Sequence, residues 1–116
     1  MPKMKYLHNP RCSKSRQALN ILNELNVDIE IIEYLKQPLT REELNLIFTN
    51  LGIDSALEMM RPKEAEFAEA GLSKSSSNDS LLDAMVKYPK LIERPILYSD
   101  SQAVIGRPPE KVKGII

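Results

Sequence analysis

The sequence predicts an α/β fold on a mixed sheet of about four strands, ordered β-α-β, a helical stretch, then β-β-α. Three observations carry this reading. A β-branched run from Val27 to Ile32 follows a helical pattern, which itself follows a short strand; strands joined by such a crossover run parallel and right-handed. The middle of the chain repeats apolar residues at helical spacing. Near the end, two short apolar runs flank a polar turn, the pattern of a hairpin. With 116 residues and 13.2 kDa there is room for one domain, residues 1–116, with a helical insertion at about 40–88.

Each element has a local cause. Lys5 to His8 is a short strand with Tyr6 and Leu7 as its apolar residues, stopped by Asn9-Pro10. From Ser13 the pattern turns helical, with Ala18, Leu22 and Leu25 on one face, Ile21 beside them, and Asn26 as the stop. Val27, Ile29 and Ile31 alternate with Asp28 and Glu30, as a strand requires, and Ile32 and Tyr34 follow. Thr40 with Glu43 three residues on reads as a capping box. Leu44, Ile47, Phe48 and Leu51 follow at i, i+3, i+4, i+7, and Gly52 closes that helix. Ser55 caps a shorter piece through Met60, and Pro62 suits the first turn of one running to about Ala70. Glu64, Glu66 and Glu69 on it read as a solvated face. After the loop Ser73 to Ser77, Asn78 or Asp79 caps a helix with Leu81, Leu82, Met85 and Val86. Ile96 to Tyr98 and Ala103 to Ile105 are the hairpin strands, and Pro108-Pro109 opens a last helix with Val112.

Composition narrows the function. Sixteen basic residues balance sixteen acidic ones and the pI is near 6.6, so the basic excess of a nucleic-acid binder is missing. No apolar run approaches the roughly 20 residues of a membrane span. Residues 1–6 hold Lys3 and Lys5 without an apolar core or small-residue cleavage site, so no secretory leader is expected, and the expected setting is the reducing cytoplasm. Cys12 is the sole cysteine and His8 the sole histidine. One cysteine closes no intrachain disulfide, and no carboxylates sit nearby at ligand-like spacing, so no metal site is expected.

The informative stretch is His8-Asn9-Pro10-Arg11-Cys12-Ser13-Lys14-Ser15-Arg16, between the first strand and the first helix. The carboxyl ends of strands are where α/β sheets place ligands. Cys12 falls at a helix N-terminus, where unpaired N–H groups and the helix dipole favour a thiolate over a thiol. Arg11, Lys14 and Arg16 act in the same direction, and the Ser13 and Ser15 hydroxyls can donate to a charged sulfur. A buried cysteine packed as a small hydrophobe is the competing reading. Such a cysteine would sit inside an apolar run, and Cys12 does not. His8 has two readings that the sequence does not separate: it tunes the thiolate or acts as an acid, or it ends a strand and bonds to backbone.

Three of the six arginines precede proline: Arg61-Pro62, Arg94-Pro95 and Arg107-Pro108. Composition alone predicts about 0.4 such pairs. A residue before proline is held extended, usually at an element boundary. Guanidinium forks at element ends can converge on one tetrahedral oxyanion, though three surface arginines at turns fit the spacing as well. Other cysteine chemistries fail on particular positions. Ser15 stands where a redox Cys-x-x-Cys needs its second cysteine, and Ala18 where a Cys-x5-Arg phosphate loop needs its arginine. The four glycines are scattered, so no phosphate-cradling glycine loop exists.

The stretch from His8 to Arg16 resembles the signature of the glutaredoxin-coupled arsenate reductase family, of thioredoxin-like fold. The resemblance continues through Glu33-Tyr34-Leu35-Lys36, Met60-Arg61, Leu91-Ile92-Glu93-Arg94-Pro95-Ile96 and Ile105-Gly106-Arg107-Pro108. It implies a thioredoxin/glutaredoxin-like sheet, Cys12 as nucleophile, and Arg61, Arg94 and Arg107 as oxyanion ligands. It further implies His8 as thiolate support, beside Ser15 and Arg11 as read from their positions above, and Arg94-Pro95 as a cis bond beside the cysteine. The implied reaction reduces arsenate to arsenite, with glutathione as co-substrate, glutaredoxin as partner and no bound cofactor. Two alternatives share the fold: a monothiol oxidoreductase of glutathione mixed disulfides, and a non-enzymatic regulator that binds RNA polymerase. Ser15 argues against the regulator group, which typically carries Cys-x-x-Cys.

Overall fold

The computed structural model describes residues 4–116; residues 1–3, on which half of the leader reading falls, lie outside them. The first strand, β1 (Met4–Leu7), pairs in parallel with β2 (Ile29–Ile32), Tyr6 opposite Ile31. The crossover is α1 (Ser13–Glu24). On its other side β1 pairs antiparallel with β3 (Ile96–Tyr98), which pairs antiparallel with β4 (Ala103–Ile105). The sheet order is therefore β2-β1-β3-β4, the mixed four-stranded sheet expected, with Pro95 opening the strand beside the first one. His8 lies one residue beyond β1, yet its N–H still donates to Ile32 O at 2.9 Å, so the stretch from His8 onward leaves the sheet at the carboxyl end of β1.

Strand alternation divides the core in two. Tyr6 and Leu97 point to one face and pack with Ala18 and Leu22 of α1 and with Val112 of the 3-10 helix Pro109–Ile115. Leu7, Ile96 and Tyr98 point to the other face, covered by α2 (Arg41–Leu51), α4 (Asn78–Lys87) and the 3-10 turns Ala56–Met59 and Pro89–Leu91. The short helix α3 (Ala65–Glu69) lies outside these. No helix among the described residues is long and apolar enough to cross a membrane.

Several local readings are corrected. Leu25 is half exposed, because α1 ends at Glu24 and the chain turns away through Asn26 in the left-handed region (φ 54°). Ile31 is exposed because β2 is the edge strand. Thr40 accepts from Glu43 N–H at 3.1 Å, but the reciprocal half of that capping box is absent. The Glu43 carboxylate instead accepts from the Tyr98 hydroxyl at 2.8 Å and pairs with Lys5 at 3.5 Å. A complete capping box forms at Ser55 and Glu58. Pro62 lies in a turn, and α3 begins only at Ala65. Ser77, not Asn78 or Asp79, caps α4; the Asn78 amide is taken by Ala56 N–H and Asp54 O. Glu69 is exposed as expected of a solvated face, but Glu64 and Glu66 are half-buried and paired with Arg61 and Lys90.

Gly106 joins the fold to the stretch before β3. Its N–H donates to Pro95 O at 2.8 Å, and a Cβ there would meet Pro95 Cγ at 2.8 Å and Val112 Cγ1 at 3.1 Å. A proline ring has little freedom to yield. Gly106→Ala is therefore expected to destabilise by about 1–3 kcal/mol, typical of overpacking, lowering the thermal midpoint by roughly 5–15 °C. A midpoint within 2 °C of the wild type, by calorimetry, would show that the contact relaxes freely.

Candidate active site

Cys12 is the N-cap residue of α1, with extended backbone (φ −92°, ψ 121°). Its N–H donates to Asn9 O at 2.9 Å, and its own carbonyl accepts the first helical bond from Arg16 N–H at 3.1 Å. Asn9 also accepts from Arg11 N–H through Oδ1 at 3.0 Å, so this one residue folds the turn leading to the cysteine. The turn is anchored from within the helix. Ser15 is fully buried, and its hydroxyl lies 2.6 Å from His8 Nδ1 while accepting from Asn9 N–H at 3.1 Å. The Tyr6 hydroxyl donates to Ser15 O.

These bonds settle how His8 and Ser15 are used. The Ser15 hydroxyl is committed to His8 and Asn9, not to the sulfur; its backbone N–H is what acts on Cys12. The His8 ring is committed to Ser15, and burial lowers its pKa, keeping it neutral. His8 does end the strand, with its N–H on Ile32 O, while its ring bonds to Ser15 and braces the turn.

Burial pushes the Cys12 thiol up, but the Ser15 N–H, the Arg94 guanidinium through hydrogen bonding and charge, and the charge of Arg107 outweigh it. The thiol is left below the ordinary cysteine value. Arg107 Nη2 donates to Cys12 Sγ at 3.6 Å. The cations near in sequence contribute differently from what adjacency suggests. Arg11, Lys14 and Arg16 are exposed, and Arg16 Nη1 donates to Pro10 O at 2.7 Å. The charges that act on the sulfur come from 82 and 95 positions further along, at Arg94 and Arg107.

The three arginines that precede proline do come together, and Glu93 joins them. One of its oxygens, Oε1, lies 3.1 Å from Arg107 Nε, 3.6 Å from Arg61 Nη1 and 3.1 Å from the Arg94 backbone N–H. Arg61 is brought there by a clip between segments: its N–H donates to Leu91 O at 2.7 Å, and Glu93 N–H donates to Met59 O at 2.8 Å. Glu64 Oε1 accepts from Arg61 Nε at 3.2 Å. Arg107 Nε also donates to Arg94 O at 2.7 Å. The peptides Arg94-Pro95 and Arg107-Pro108 are both cis; the second was not anticipated from the sequence. Sequence reasoning also passed over Asn9, Glu93 and Tyr34 as participants. The available signal for Glu93 was a carboxylate directly before one arginine of a recurrent Arg-Pro pair.

A cavity of about 250 Å³ lies beside this cluster, lined among others by Asn9, Arg11, Tyr34 and Arg94. Arg11, Lys90 and Arg94 outnumber Glu64 on its wall, which is therefore cationic, and Arg94 is also one of the groups that favour the Cys12 thiolate. That suits an anion positioned for attack by sulfur. Among the described residues, no group of three or more His, Cys, Asp or Glu is placed to hold a metal ion.

A family model described as the ArsC family matches residues 7–115. The chain belongs to the ArsC family. Relatives of this ArsC-family chain include a Neisseria meningitidis serogroup B protein named arsenate reductase, 44% identical over 117 residues and covering all of both chains. The arsenate reductase of Escherichia coli K12 is 34% identical over 94% of this chain and 77% of its own. The solved structure of an arsenate reductase from Vibrio cholerae superposes with a TM-score of 0.92 at 40% identity, covering 99% of this chain and 98% of that one. The fold of this ArsC-family chain is thus the thioredoxin-like one.

The electrostatics predict a contrast between near and distant arginines. Because Arg107 favours the thiolate, Arg107→Ala should move the pH midpoint of Cys12 alkylation upward, toward that of free cysteine at about 8.5. Arg11→Ala, at an exposed position, should leave it in place. The check is iodoacetamide reaction rate against pH for both variants; equal shifts would return the effect to sequence neighbours.

Proposed function

We propose that this protein reduces arsenate to arsenite through the Cys12 thiolate, with glutathione and glutaredoxin supplying the electrons in the cytoplasm. The observation that carries the reading is the contact of Arg107 with the sulfur inside a cluster that also gathers Arg61 and Arg94. In this reading the arginines hold the oxyanion, with the Arg107 fork bridging anion and sulfur. Cys12 attacks arsenic and an arsenic-bound oxygen leaves as water, giving a sulfur–arsenic bond. The guanidinium groups are in place beforehand, so the charge displaced onto oxygen meets fixed donors rather than reorganising solvent. Glutathione then adds its sulfur to arsenic as its thiol proton and a second arsenic-bound oxygen leave in water. A glutaredoxin thiolate takes that sulfur into a disulfide, leaving two electrons on arsenic. Hydrolysis releases arsenite and the free Cys12. An outside thiol is needed because the chain holds no second cysteine.

His8, Ser15 and Asn9 serve this chemistry indirectly, by fixing the turn that presents the sulfur to the arginines. Arg11 is exposed on the cavity wall, where it can draw in anions without setting the thiol's acidity. Proximity of names in related proteins supports the substrate, and the cationic wall supports its charge.

The test is arsenate-dependent NADPH oxidation with glutathione, glutaredoxin and glutathione reductase. Cys12→Ser should abolish turnover. Arg94→Ala and Arg107→Ala should each cost on the order of 10²–10³ in rate, the usual loss for one preorganised oxyanion donor. Arg94→Lys should rescue poorly, because a point charge does not replace a planar fork. Full rates in the arginine variants would remove them from the site. A wild type without arsenate turnover whose Cys12 still exchanges with glutathione disulfide would instead favour the mixed-disulfide oxidoreductase.

A further inference from the structure

Three tyrosines are buried to within 1% of full burial: Tyr6, Tyr34 and Tyr98. Two of them use their hydroxyls. Tyr6 donates to Ser15 O and Tyr98 to Glu43 Oε2. The Tyr34 hydroxyl has no hydrogen-bond partner, and the only other unpartnered buried side-chain polar atom among the described residues is Arg94 Nε. Both residues line the cavity of about 250 Å³ described above, together with Asn9 and Arg11.

A buried hydroxyl without a partner costs folding free energy, so phenylalanine would serve the core at this position at least as well. The tyrosine ring packs among apolar residues of the larger core cluster; only its oxygen is unaccounted for. That oxygen sits within the fields of Arg94, Cys12 and Arg61, the groups assigned to the anion and its attacker. Arg94 is near enough to act on the hydroxyl oxygen, but a guanidinium can only donate there, so the hydroxyl's own hydrogen has no acceptor, and Arg94 Nε has none either.

We propose that the Tyr34 hydroxyl and Arg94 Nε are vacant donors for the oxyanion, making Tyr34 a fourth, uncharged ligand of the substrate. This rests on the oxyanion reading given above. Burial raises the Tyr34 pKa to about 12, so the group is a donor throughout the neutral range. A neutral donor binds an unprotonated substrate oxygen without adding a fourth positive charge beside Arg61, Arg94 and Arg107. Because a hydroxyl rotates about its C–O bond, it can follow the oxygen as the tetrahedral centre changes during attack, which the planar forks do less freely.

Arsenate binding to the Cys12→Ser protein, which forms no sulfur–arsenic bond, tests this by calorimetric titration with and without Tyr34→Phe. Thermal midpoints of the unliganded proteins are measured alongside. The phenylalanine variant should bind arsenate roughly 10–100-fold more weakly, the scale of one hydrogen bond to a charged group. Its unliganded midpoint should be unchanged or higher, since an unpaired polar atom is removed. In the Cys12-containing protein, kcat/KM for arsenate should fall by a similar factor while the KM for glutathione holds. Equal arsenate affinity in the two proteins would overturn the proposal. So would a midpoint lowered by more than about 5 °C, which would make the hydroxyl a structural one. If the parent Cys12→Ser protein binds no arsenate, the oxyanion reading itself fails and this assignment falls with it.

Discussion

Guanidinium groups gathered in a partly buried pocket repel one another, and the arrangement around Cys12 depends on what offsets that repulsion. Here two carboxylates do so, Glu64 on Arg61 at 3.2 Å and Glu93 at the centre of the cluster. Glu93 Oε1 faces Arg61, Arg107 and the backbone N–H of Arg94 at 3.1–3.6 Å. Two negative charges among three positive ones leave the cluster cationic by one, so it retains attraction for an anion while its members stay ordered. Truncating a charged partner at such a site leaves the remaining charges uncompensated, which is costly in a low-dielectric setting. The second anchor is steric: Gly106 admits the Pro95 ring at a distance no side chain would allow, and Pro95 follows directly on Arg94.

Acidity and positioning at the sulfur are supplied by different groups. The helix start gives one N–H, from Ser15, and distant arginines give the charge. His8, Ser15, Asn9 and Tyr6 form a hydrogen-bonded brace under the turn, none of whose side chains is spent on the sulfur itself. The division has a physical logic. A group that both positions and polarises would be disturbed each time the sulfur changes its bonding, whereas a separate brace is not.

Much of the fold was legible because it rests on short-range rules. The alternation of Val27 to Ile32, the i, i+3, i+4, i+7 run from Leu44, the Gly52 cap and the hairpin all depend on neighbours in sequence. What the sequence misplaced was decided by long-range competition. Glu43 left its capping box because the Tyr98 hydroxyl and Lys5, from other elements, offered better partners. Asn78 gave up its cap to bridge to the turn at Ala56. At the site, the cysteine and the Arg-Pro pairs stood out by type and spacing. Glu93 and Tyr34 did not, because what singles them out is a shared oxygen in one case and an unpartnered one in the other, and neither property exists along a chain. The same limit made Arg11, Lys14 and Arg16 look like the cations that matter.

The clip between Met59–Arg61 and Leu91–Glu93 has a consequence for how the chain matures. The cysteine is present from the start of synthesis, but the guanidinium groups that alter it arrive from the far end of the polypeptide and are aligned only when that clip and the β1–β3 pairing close. Until then the thiol has at most the Ser15 N–H of its own helix start, and the share of its acidity that comes from Arg94 and Arg107 is withheld until tertiary structure is complete.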